Sequence, residues 1–131
     1  TRTDGIVVAC VWDFEGERAP LSPFWRAARE LDPDALDESG LAGARAGQLG
    51  ELFKQAGLRG VEESSISASV EHVTFDEWWE PFTLGVGPAG AYARSLSEEQ
   101  LTALRERCRV HVPEGPFTLN TFAWAARGRA H

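Results

Sequence analysis

Residues Gly5 to Phe14 read GIVVACVWDF, and Ile6 to Trp12 is an unbroken apolar run rich in Val. A run without polar alternation predicts a strand buried on both faces, as in a parallel strand covered by helices. Asp13 is the first charge after it. Upstream, Thr1-Arg2-Thr3-Asp4-Gly5 predicts a turn that leads straight into the strand. With no Met anywhere in 131 residues, this start is what a piece of a longer protein would show.

Downstream, Ser22-Pro23 predicts a helix start, with Ser22 as the cap and Pro23 in the first turn. Phe24, Ala27, Ala28 and Leu31 recur at helical spacing, and Pro33 ends the pattern. A second helix is predicted over about Arg45 to Ala56, closed by Gly57. Val61 to Val73 alternates, with Ser64, Ile66, Ala68, Val70 and His72 on one face, which predicts a strand with one wet face. Thr74 and Glu77 predict a capping box for a third helix, with Val73 and Trp78 as its staple. That helix carries Trp78, Trp79 and Phe82, and Pro81 bends or ends it. Gly85-Val86-Gly87-Pro88-Ala89-Gly90 then predicts a flexible, tight-turning hinge. Ser97 and Gln100 form a second capping box, with Leu96 and Leu101 as staple, and Leu101, Leu104 and Cys108 form the inward stripe of the fourth helix. Phe117 to Ala126 predicts a third strand.

Composition sets the frame for these elements. The chain is 43% hydrophobic and 25% charged, with five Trp and seven Phe, which is globular and argues against disorder. No apolar run approaches the ~20 residues of a membrane span. A net charge of −7 argues against general nucleic-acid binding, which needs a basic footprint. Twelve of the thirteen bases are Arg, with Lys54 alone, which reads as coding bias in a GC-rich genome. Two distant cysteines form neither a disulfide framework nor a metal knuckle, so a cytoplasmic setting is expected. No segment divides the chain by composition, and one domain over residues 1–131 is expected.

Few residues are placed for chemistry. Gly85-x-Gly87-x-x-Gly90 has dinucleotide-loop spacing, but it follows a Trp-rich helix rather than a strand, and Pro88 removes an amide. A hinge or lid turn fits it better. His72 at a strand end and His111 at a helix end are acid–base candidates only by residue type. Neither they nor His131 sit in a metal-ligand spacing. Cys10 and Cys108 read as packing residues. Trp12-Asp13-Phe14 lies past the C-terminal end of a strand, where ligands bind in open α/β sheets. Asp13 there either meets a polar ligand group or forms an Asx turn. Trp78 and Trp79 are neighbours about 100° apart on a helix, so one of them is expected to line a pocket or interface.

Taken in order, these segments resemble the C-terminal half of a class I S-adenosylmethionine-dependent methyltransferase, a Rossmann-like fold. Asp4-Gly5 with IVVACVWDF is similar to the family's step into strand five. Leu52-Phe53-x-x-Ala56-Gly57-Leu58-x-x-Val61 is similar to its helix, turn and strand six. TFDEWWEPFTLGVGPAG resembles its substrate-covering helical insertion, here residues 74–113. GPFTLNTFAWAARGR resembles its final antiparallel strand.

The resemblance implies a small mixed three-stranded sheet, its last strand antiparallel in the middle, with about four helices. It implies a parent enzyme that transfers a methyl group to a small-molecule acceptor. The family's cofactor motifs lie in the half with no counterpart here, so this chain alone is expected to be inactive and to bind no cofactor. Trp12, Asp13, Phe14, Trp78, Trp79, Phe82, Gly85 and Gly87 would face the acceptor, with Asp13 or His72 as proton acceptor. Alignment of acceptor and donor would supply most of the rate gain. The alternatives are a non-enzymatic α+β binding or dimerisation module derived from this half-fold, and a small ligand-binding or cyclase-like α+β fold. Without a neighbouring strand, the Ile6–Trp12 edge is expected to pair with another copy or with an N-terminal half.

Overall fold

In the computed structural model, which describes residues 2–131, the apolar run forms strand β1 (Ile6–Trp12). Thr1, the first residue of the predicted turn, lies outside the described residues. Helix α1 (Ser22–Leu31), a 3-10 turn at Glu38–Gly40, helix α2 (Gln48–Gln55) and strand β2 (Arg59–His72) follow. Next come helix α3 (Phe75–Trp79), a 3-10 turn at Glu80–Leu84, helices α4 (Gly87–Ser95) and α5 (Glu98–His111), and strand β3 (Phe117–Arg129). No described helix is long and apolar enough to cross a membrane.

The strands form one sheet in the order β1-β3-β2. The last strand lies in the middle, as expected. Every neighbouring pair is antiparallel, so the sheet is antiparallel rather than mixed. The β1–β3 register runs from Ile6 opposite Arg129 to Trp12 opposite Ala123. β1 therefore pairs with residues 123–129, the C-terminal part of β3, which continues past the predicted end at Ala126 to Arg129.

The chain divides into two compact units, residues 2–19, 38–68 and 120–131 in one, and residues 20–37 and 69–119 in the other. In the first unit, Leu49 and Phe53 of α2 pack with Ala126 on a face to which Val7, Ala9 and Val11 contribute. The alternate residues of β1 stay open: Ile6 is 58% and Val8 67% exposed, and Cys10 is exposed as well. Burial of β1 on both faces is thus corrected to burial on one. An apolar run states what a strand tolerates, not how many layers cover it. β2 departs further, with only Val61 and His72 half-buried and its other residues exposed along both faces.

The second unit holds the larger core. Phe24, Trp25, Ala27 and Ala28 of α1 meet Phe75, Trp78, Trp79 and Phe82, and Leu104, Cys108 and Val112 complete it. The α5 capping box is present, with Ser97 Oγ accepting from Gln100 N and Gln100 Oε1 from Ser97 N. Thr74 Oγ1 accepts from Glu77 N at 3.2 Å, but the Glu77 carboxylate turns to Val73 N instead of the cap's own amide. Val73 is 67% exposed, so no staple forms with Trp78. At α1 the cap is Leu21, and Ser22 already lies inside the helix.

The expected hinge at 85–90 is mostly helix. Pro88 sits in the first turn of α4, where a missing N–H costs nothing. Gly90 lies against the backbone of Gly85, and a Cβ on Gly90 would stand 2.6 Å from the Gly85 carbonyl carbon. Gly90 is thus a packing glycine inside a helix. The described residues thus form five α-helices.

Candidate functional site

The turn after β1 uses Asp13 completely. Asp13 Oδ1 accepts from Gly16 N at 3.0 Å and from Trp124 Nε1 at 3.2 Å, and Oδ2 accepts from Arg18 Nε at 2.6 Å. Its backbone N–H donates to Phe122 O, and its carbonyl accepts from Arg18 N. The Arg18 guanidinium in turn lies 3.8 Å over the Phe122 ring. Burial pushes the Asp13 carboxyl up, but hydrogen bonds from Arg18, Gly16 and Trp124, with the Arg18 charge, outweigh it and hold the pKa below the ordinary value. A carboxylate already accepting three hydrogen bonds, with its proton affinity lowered, is poorly suited to take a proton at neutral pH. Of the two readings of Asp13, the geometry favours the turn. Trp12 and Phe14 beside it are half-buried.

The tryptophan helix places both indoles in the core and one of them at a concavity. Trp78 and Trp79 are 3% and 4% exposed, and both belong to the core. Phe75, Trp78 and Trp79 of the short α3 are all buried in the same core. Trp79 stacks on Phe75 at 6.2 Å, and Trp78 meets Phe82 edge-on at 5.0 Å. Trp78 keeps its polar handle satisfied by donating from Nε1 to Pro20 O at 3.1 Å.

One edge of Trp78 nevertheless reaches an open concavity of about 420 Å³ within the second unit. Pro81 and Phe82 continue its wall from the 3-10 turn, Pro20 and Leu21 face it from the start of α1, and Val86 forms its rim. β2 contributes Val70 and His72, which share a face because they are two residues apart. No Asp, Glu, Lys or Arg lines it. The His72 ring rests on Phe117 at a centroid distance of 5.3 Å. Its Nδ1 is buried without a hydrogen-bond partner, the one such side-chain atom among the described residues.

Of the candidate residues, His72, Trp78 and Phe82 come together at this concavity. Trp12, Asp13 and Phe14 belong to the other unit. Trp79 is enclosed in the core and does not line the concavity. Gly85 ends the 3-10 turn with φ +73°, and a Cβ on it would stand 2.2 Å from Arg94 Nε, so its role is conformational. Gly87 takes φ +70° at the start of α4 and does not line the concavity. Sequence reasoning missed Pro20, Leu21, Val70, Pro81 and Val86 as lining residues. The only signal available was the shared face of Val70 and His72.

His111 and Cys108 have structural surroundings. His111 Nε2 lies 2.6 Å from Glu30 Oε1, and Arg107 also pairs with Glu30. Cys108 is fully buried, and burial, with the nearby Glu30 charge, pushes its thiol up to about 12. No protein-family model matches the chain, and no curated protein matches its sequence.

Proposed function

We propose that the chain is the acceptor-binding portion of a class I S-adenosylmethionine-dependent methyltransferase acting on a small molecule in the cytoplasm. The strand order β1-β3-β2, with the last strand inserted antiparallel between the other two, is the observation that supports this reading. It is the order the resemblance implies, and an unrelated hairpin-connected sheet has no reason to adopt it. The acceptor sits in the concavity at His72, Trp78 and Phe82, to which residues 74–113 contribute Trp78, Pro81, Phe82 and Val86. The chain binds, orients and shields that acceptor; it supplies no cradle for the donor. The glycines at 85, 87 and 90 cap a turn and pack a helix, and the Asp13 carboxylate is spent on its own turn. No step through the donor is therefore derived from these residues.

The same reading includes a partner. β1 is an edge strand with Ile6 and Val8 exposed, and it pairs with a second copy or with the donor-binding half.

The test is methyl transfer by the product of the natural reading frame, supplied with labelled S-adenosylmethionine and a panel of phenols, carboxylates and amines. Incorporation that falls in the rim variant Val86→Glu supports the reading. A natural protein that lacks a glycine-rich strand–loop–helix ahead of β1, or one with that segment and no transfer to any acceptor class, overturns it. Calorimetry on the isolated chain adds a check: no binding of S-adenosylmethionine is expected, and micromolar binding would contradict the division of labour described here.

A further inference from the structure

We infer that the concavity selects a neutral, flat aromatic molecule carrying one hydrogen-bond-accepting oxygen, which His72 meets with its Nε2–H. The inference rests on the concavity being the acceptor site. Its first support is the wall chemistry: every lining residue except His72 is apolar, and two are prolines and two aromatic. Flat apolar faces of this kind match a planar ring. A charged ligand group would lose its water there without a countercharge, because no acidic or basic side chain lines the space. The volume of about 420 Å³ falls in the range of small-ligand sites and accommodates a fused bicyclic ring.

The second support is the orphaned nitrogen of His72. A buried N–H without an acceptor is rarer and costlier than a buried lone pair without a donor. Nδ1 is buried and unpartnered, so the proton belongs on Nε2. Nε2 is not among the buried unpartnered atoms, and His72 borders the concavity, so on this inference Nε2 is the nitrogen that meets the ligand. The Phe117 ring packs against the imidazole. The result is a single oriented donor in an otherwise apolar wall, which reads an oxygen on the ligand and nothing more.

Calorimetric titration of the chain with four naphthalene probes tests this. The probes are naphthalene itself, 2-acetylnaphthalene, 2-naphthoate and 2-naphthylmethylammonium. The ketone is expected to bind ~5-fold more tightly than naphthalene, and at least ~10-fold more tightly than either ion, as expected for an unpaired charge losing its water. His72→Phe should erase the preference for the ketone while naphthalene still binds, and Val86→Glu should weaken both. Amide spectra of each variant report that it is folded. Ions that bind as well as the ketone, a ketone preference that survives His72→Phe, or no binding by any probe overturns the inference. Methyl transfer by the complete enzyme to a charged acceptor would leave the methyltransferase reading standing and remove this one. Ketone selectivity in a protein that transfers no methyl group would do the reverse.

Discussion

Trp124 Nε1 and Arg18 Nε donate to opposite oxygens of one carboxylate, Asp13, and so tie β3 to the turn that leaves β1. Asp13→Ala removes the shared acceptor and leaves a partly buried indole N–H unpaired. It is expected to cost about 2 kcal/mol in denaturant unfolding. The folded-state pKa of Asp13 is lowered, so its stabilisation is complete above the unfolded-state value of about 3.9 and is lost as pH falls through the lower folded value. The stability gap between wild type and Asp13→Ala should therefore be constant at neutral pH and narrow as pH falls below about 4. A gap that does not narrow on acidification would show that the charge is not what holds the turn.

The two cysteines differ in access. Cys10 is exposed on the open face of β1, whereas Cys108 is buried with its thiol pushed up to about 12. Maleimide treatment of the native protein at pH 7 should label Cys10 alone by peptide mass mapping, and denaturant should release Cys108. Rapid native labelling of Cys108 would mean that the α5 face opens readily.

Helix propensity favours Ala over Gly by ~1 kcal/mol, yet Gly90→Ala in α4 is expected to destabilise by about 1–3 kcal/mol. The new methyl would meet the Gly85 backbone, which cannot rotate aside as a side chain can. Gly40→Ala, where a Cβ meets nothing within 4 Å and φ is not positive, is the control and should change stability little. Thermal unfolding of both variants decides, and equal melting temperatures would refute the packing account.

Self-association through β1 predicts a concentration-dependent mass in sedimentation. Val8→Lys places a charge on an exposed β1 position and should shift the chain to monomer with the fold intact. A wild-type chain that stays monomeric at high concentration would remove the pairing.

Much of the architecture was legible because each element carries its own local pattern. Phe24, Ala27 and Ala28 announce α1, and Ser97 with Gln100 announces α5. Placement of the last strand came from the ordered resemblance rather than from periodicity. Burial of β1 was misread because coverage of a strand is decided by distant elements, here Leu49 and Phe53 of α2. α4 was missed because Gly87, Pro88 and Gly90 have turn chemistry locally, while the constraint on Gly90 comes from the backbone of Gly85. The concavity was legible only at His72, Trp78 and Phe82. Its other walls come from positions as separate as Pro20, Val70 and Val86, which no sequence pattern connects.

The outer strands of the sheet are dressed differently. β2 bears Glu62, Glu63 and Glu71 among serines and is exposed almost throughout, whereas β1 is apolar. Charged side chains along an edge disfavour a further strand, so under the proposed pairing β1 is the favoured margin. A twofold pairing there consumes both sticky margins at once, and such an assembly closes at two copies with no route to a filament.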